Sequence, residues 1–302
     1  VNWDVAHAVA AMAAVQAHRD LGIDRDDYVD VHGALREAGL VGMARPMPRL
    51  FGIYFSPHDG GPAVLLNEKL DIVIQRHTAA HELGHHCLEH GTALDKELDR
   101  TVGWGDGSWP DEEKTAEAFA AWFLMPPPAV GSALRRIGVE RPRMPEHAYQ
   151  VARWLGTSYT GTVNHLHRLR LLTRAQKAAW LKTKPAAIKT ALAGGPVPSK
   201  AHVHVINMTA HQATVRVDMG DLVVLRTPGA HFDALPDCLV PADNPEGQLF
   251  WDEDAPATVA EVTDALTGTA TVTIRVPGAA DLLEVTVARQ SPRVGVLELW
   301  PT

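Results

Sequence analysis

His81-Glu82-Leu83-Gly84-His85 lies inside the segment Ile72 to Cys87, where apolar or small residues at Ile72, Ile74, Ala79, Ala80, Leu83, Gly84 and Cys87 predict a buried helix. On an α-helix each residue turns by about 100°, so positions four apart lie only about 40° from each other. His81 and His85 can therefore aim ring nitrogens at one ion. Glu82 stands beside them. A carboxylate there is not a ligand, but it can take a proton from water whose pKa a zinc ion lowers to about 7 and pass it to a leaving amine. With 16 histidines in 302 residues an accidental match is the competing reading, and the surrounding sequence has to decide.

Val64-Leu65-Leu66, just before the helix, reads as a short buried strand. Gly84 costs the helix about 1 kcal/mol relative to Ala, so its place inside the pattern points to the close approach of another element. A catalytic zinc uses three protein ligands and keeps one position for water. Relative to His85, His86 is turned by about 100° and His90 by about 140°, so neither reaches the same ion from a continuous helix. The metzincin arrangement needs Gly at position 88 and His at position 91, where this chain has Leu88 and Gly91.

The stretch from Asp111 to Pro126 reads as a second, amphipathic helix, stopped by Pro126, Pro127 and Pro128 and carrying acids in its first turns. Glu112 is accounted for by the helix dipole. Glu113 and Glu117 share a face with Ala120 and Leu124, and a carboxylate turned into a packed interior is tolerable when it holds a metal. Spacing alone leaves both open as the third ligand.

These segments resemble the ImmA/IrrE metallopeptidases. The resemblance rests on Ala63-Val64-Leu65-Leu66-Asn67, on Arg76-His77-Thr78-Ala79-Ala80-His81-Glu82-Leu83-Gly84-His85, and on Glu113-Lys114-Thr115-Ala116-Glu117-Ala118-Phe119-Ala120-Ala121-Trp122-Phe123-Leu124-Met125-Pro126. They are similar to the family's strand, active-site helix and ligand helix, in order, over roughly residues 1 to 175. The resemblance implies a zincin-like fold, Zn2+ as cofactor, and Glu113 as third ligand by its distance from Met125-Pro126. Glu117 stands where the family usually has Asn. It also implies an intracellular protease whose protein substrate is a helix-turn-helix repressor.

Length fits two or three compact units. No run is apolar enough for a membrane span, and the Ala-rich start from Asp4 to Val15 has no basic flank or cleavage pattern, so a cytoplasmic protein is expected. Cys87 and Cys238 fall in different expected domains, which argues against a disulfide framework. The net charge of -8 is unevenly spread: residues 133–190 carry 12 Lys and Arg against 2 acids, and residues 201–302 carry 5 against 14.

Within the basic region, Ala148 to Ser158 followed by Val163, Leu166 and Leu169 reads as helix, Gly-containing turn and helix. His165, His167, Arg168 and Arg170 would then be available to phosphates. The simpler reading is that this segment completes the peptidase core, as the similar segment does in the family. A linker signal, Gly194-Gly195-Pro196-Val197-Pro198-Ser199, precedes short alternating runs from Val203 to Val294–Leu299, the profile of an antiparallel sandwich or small barrel. The loop Leu235 to Asp254, with Phe250, Trp251 and three successive acids, reads as a solvated connection.

The expectation is an α+β chain: a mainly helical zincin-like metallopeptidase core over 1–130, a basic helix-turn-helix-like subdomain over 131–190, and an acidic all-β interaction domain over 197–302. His81, His85 and Glu113 would hold the metal and Glu82 would act as base. The alternative is a DNA-binding regulator with a structural or vestigial metal site.

Overall fold

The computed structural model describes residues 1–96, 109–242 and 258–297. The chain is mixed α+β and divides into two compact units, Val1–Ala129 with Ser291–Thr302, and Val130–Gln290. The basic helices and most of the β-rich tail therefore share one unit. No helix among the described residues is long and apolar enough to cross a membrane.

The first unit runs α1 (Trp3–Asp20), α2 (Val31–Glu37), β1 (Val41–Arg45), β2 (Leu50–Phe55), β3 (Ala63–Asn67), α3 (Ile72–Cys87), β4 (Ala93–Lys96) and α4 (Asp111–Leu124). In its sheet β1 lies parallel to β3, while β2 runs antiparallel to both β3 and β4. The Asn67 side chain, at the end of β3, donates to the carbonyls of Met47 (2.8 Å) and Leu50 (2.9 Å) and so fixes the turn between β1 and β2. The strand Gly295–Val296, read from sequence with the β-rich tail, instead pairs antiparallel with β1. Gly42 makes room for this return, because a Cβ there would lie 2.9 Å from atoms of the buried Leu297 side chain. The buried Gln75 side chain holds it from α3, donating to the Arg293 carbonyl (3.0 Å) and accepting the Arg293 N–H (2.6 Å).

Helix α3 starts at Asp71, whose carboxylate accepts the Ile74 N–H at 2.9 Å. It packs on α4 and on β2. Gly84 has the role its helix cost suggests: a Cβ there would meet the Phe119 ring at 3.0–3.2 Å, so the missing side chain lets α4 come close. On its other side α4 meets α1, which buries Ala6, Ala10, Ala14 and Ala17. The His18 ring, kept neutral by burial, stacks on Phe123 and donates to its carbonyl at 3.0 Å, capping the end of α4.

The second unit takes up the chain within α5 (Pro127–Arg136) and continues with α6 (Pro145–Leu155), α7 (Tyr159–Arg168), α8 (Arg174–Trp180) and α9 (Pro185–Ala193). Gly156, at φ 63°, ends α6, and the Ser158 hydroxyl accepts the Gly161 N–H to start α7, the expected helix, turn and helix. Then follow β5 (Val203–Ile206), β6 (Thr214–Val217), β7 (Leu222–Leu225), β8 (His231–Ala234), β9 (Leu239–Pro241), β10 (Val259–Val262), β11 (Thr269–Arg275) and β12 (Leu283–Arg289). They form two four-stranded sheets, β5-β7-β10-β9 and β6-β12-β11-β8. The antiparallel expectation is corrected here, because β5 pairs parallel with β7 and β6 parallel with β12. Alternation along a strand reports which face is buried but not the direction of its partner. Most of the loop Leu235 to Asp254, from residue 243 onward, lies outside the described residues.

Candidate metal centre

One face of α3 presents His81 and His85, both buried, and the start of α4 presents Glu113. The His81 and His85 Nε2 atoms are 3.0 Å apart. The Glu113 carboxylate lies 3.2 Å from the first through Oε2 and 3.6 Å from the second through Oε1. Two ligands each about 2.0–2.1 Å from a tetrahedral ion are separated by about 3.3 Å. All three spacings fall near that value, and borderline imidazole donors with one carboxylate are a donor set that suits zinc. This His-His-Glu cluster fits a metal site.

The carboxylate is already prepared for a cation. Burial opposes ionisation of Glu113, but hydrogen bonds from His81 and His85 outweigh it and hold the carboxyl well below the usual range. His85 is pushed the other way, its pKa lowered by burial, so the ring is neutral and able to ligate.

Glu117 occupies a different side of the same ring. Its Oε2 lies 3.5 Å from His81 Nδ1 and 2.9 Å from His77 Nε2. Burial opposes its charge, and His77 and His81 more than compensate, keeping it ionised. Glu113 and Glu117, one turn apart, thus address opposite nitrogens of His81. Behind His85 stands His90, with the two Nδ1 atoms 3.0 Å apart and His90 Nε2 3.5 Å from the Thr115 hydroxyl. The helix ends at Cys87, and Glu89 turns into the left-handed region (φ 56°) so that the His90 N–H reaches the His85 carbonyl at 2.9 Å. That turn carries His90 to the rear of the ring. His86 goes elsewhere, its Nδ1 3.2 Å from the Tyr54 hydroxyl. Sequence reasoning leaves His86 and His90 as exposed or supporting residues and Glu117 as a possible ligand, and it does not supply the particular contacts of Glu117 with His77 and His81 or of His90 with His85. A Glu where Asn is usual was the one available signal.

Glu82, fully buried, lies against β2. A Cβ at Gly52 would overlap its carboxylate oxygen and approach the Thr78 methyl at 2.6 Å, so Gly52 is the space in which the Glu82 carboxylate sits. Arg76 does not stand open to a substrate: it is buried over the Tyr28 ring and donates to the Tyr28 hydroxyl and the Val29 carbonyl. Tyr149 and Tyr159 belong to the second unit, where one hydroxyl accepts the Val203 N–H and the other donates to the Trp180 carbonyl. His165 is only 3% exposed and is not offered to a phosphate.

Residues 50–140 match the family Peptidase_M78, described as IrrE N-terminal-like domain, a span that runs from β2 through α5 and contains every residue of the cluster. This agrees with the ImmA/IrrE resemblance and marks the segment as a peptidase domain of that type. No curated protein matches the chain. Among solved structures, the crystal structure of the cysteine protease inhibitor EhICP2 from Entamoeba histolytica covers 31% of this chain and 100% of its own, at 16% identity and a TM-score of 0.19. A likeness that slight carries no argument about fold or function.

Proposed function

We propose, from a chain whose residues 50–140 carry an IrrE N-terminal-like peptidase domain, that it is a zincin-like, zinc-dependent endopeptidase of the cytoplasm acting on a regulatory protein. The observation that carries the proposal is the convergence of His81, His85 and Glu113 at spacings suited to one tetrahedral ion. When bound, zinc supplies Lewis acidity, bringing the pKa of water to about 7 and polarising the scissile carbonyl. His81 and His85 offer it Nε2, and Glu113 offers a carboxylate oxygen. With Nε2 so engaged, each ring carries its proton on Nδ1, where Glu117 accepts from His81 and His90 accepts from His85. Glu82 takes the proton from the attacking water and returns it to the leaving amine.

Glu117 is in this reading a positioning residue, acting on the metal through His81. Glu117→Ala is expected to weaken zinc binding by roughly 10- to 100-fold in competition against a chromogenic chelator, with Glu117→Gln recovering part of the loss. Equal affinities for all three proteins would remove the role.

The substrate class follows from the family alone, a helix-turn-helix transcriptional repressor. Co-expression with helix-turn-helix repressors from the same genome should yield a discrete fragment of one of them that disappears when a zinc chelator is added to the purified pair. Fragmentation that persists in chelator, or an intact repressor under all conditions, would count against a metal-dependent peptidase with this substrate.

A further inference from the structure

The basic charge concentrated between residues 133 and 190 is not spread evenly over the helices. Arg153 and Lys189 are buried, Lys189 donating to the Pro198, Ser199 and Ala201 carbonyls. Arg141, Arg143 and Arg170 instead line a cleft of about 480 Å³, together with His167 and a single acid, Glu140. All three arginines are exposed, and among the described residues none pairs with a carboxylate. Like charges gathered in a concavity repel one another, and an anion relieves the repulsion.

The cleft is held in shape before any ligand arrives. The Arg141 guanidinium donates to the Arg170 carbonyl at 2.8 Å, tying the α5–α6 connection to the end of α7. The Leu171 N–H returns to the Leu166 carbonyl at 2.9 Å, which locks the turn after α7 and holds Arg170 at φ 60°. That left-handed conformation, an ordinary way to end a helix, costs a residue with a Cβ about 1 kcal/mol or more and fixes where the Arg170 side chain leaves the backbone. Thr173 and Gln176, on another wall, are fixed by the reciprocal capping box of α8. Pro142, Leu171 and Leu172 supply an apolar wall.

We propose that this cleft binds a phosphorylated small molecule of nucleotide size, its phosphates on Arg141, Arg143 and Arg170 and its ring against Pro142, Leu171 and Leu172. The volume lies in the range of small-molecule sites, and planar guanidiniums match phosphate oxygens two at a time. A concave cleft with an apolar wall suits such a ligand better than duplex DNA, which meets an exposed convex helix, and the inward-turned His165 weakens α7 in that role. The inference is independent of the metal centre.

Calorimetric titration of the intact chain with ADP and with inorganic pyrophosphate tests it, beside a fluorescent DNA duplex. The informative variant is Arg170→Gly, because Gly occupies φ 60° freely: the protein should melt no lower than wild type yet bind ADP roughly tenfold more weakly or worse. Arg143→Ala should lose a similar factor, and ADP should bind more tightly than pyrophosphate. Absence of binding by both probes at millimolar concentration would overturn the proposal, as would affinities indifferent to both substitutions or pyrophosphate binding as well as ADP. Duplex binding that ADP does not displace would reassign the arginines to nucleic acid.

Discussion

Glu82→Gln is expected to abolish turnover while leaving the protein folded and its metal in place. The exchange keeps the shape of a fully buried side chain seated where Gly52 leaves space, so packing against β2 changes little. What it removes is basicity, since an amide cannot accept the proton of the attacking water. Loss of a positioned general base costs roughly 10²- to 10⁴-fold. Initial rates on a repressor substrate and zinc content per chain, measured on the same preparations, separate the two roles. A variant as active as wild type would refute Glu82 as base, and one that had shed its metal would place the carboxylate among the ligands.

Glu113→Ala is expected to do the opposite, stripping the metal and with it the activity. Its carboxylate is the cluster's only anionic donor on the Nε2 side, and two neutral imidazoles alone hold zinc far more weakly. The fold should survive, because Glu113 lies in the first turn of α4 with its side chain 20% exposed. Dialysis against a chelator concentration that wild type withstands should leave Glu113→Ala with well under one zinc per chain. Glu117→Ala should keep more of its metal under the same conditions. If the two variants exchanged behaviour, Glu117 would be the ligand and Glu113 the support.

That pair also marks where reading the sequence stops. The limits of α3 could be read residue for residue, Ile72 to Cys87, from the placing of its apolar and small residues. Helix α4 was equally legible from its acidic start and the prolines behind it. Glu113 and Glu117, however, are four apart and share a face, so the choice between them depends on how α4 is rolled about its axis. The seating of Phe119 against Gly84 and the packing of α4 on α1 fix that roll, and neither contact is local in sequence. His90 was illegible for a different reason. Its route to His85 requires a left-handed Glu89, and no glycine advertises the turn. In the second unit, alternation revealed strands but not partners, so the parallel pairings of β5 with β7 and β6 with β12 went unseen.

The strand Gly295–Val296 beside β1 makes the peptidase unit discontinuous in sequence. During synthesis α3 and α4 leave the ribosome early, yet the outer border of their sheet arrives only after the entire second unit has been made. Until then β1 carries an open hydrogen-bonding edge, available to any other extended chain. Cutting the chain near residue 197 to isolate its first part would recreate that unfinished state, because it also discards the Arg293 backbone that clasps Gln75 and the Leu297 side chain that fills the notch at Gly42. Any trimmed version of this protein therefore needs its last strand grafted back.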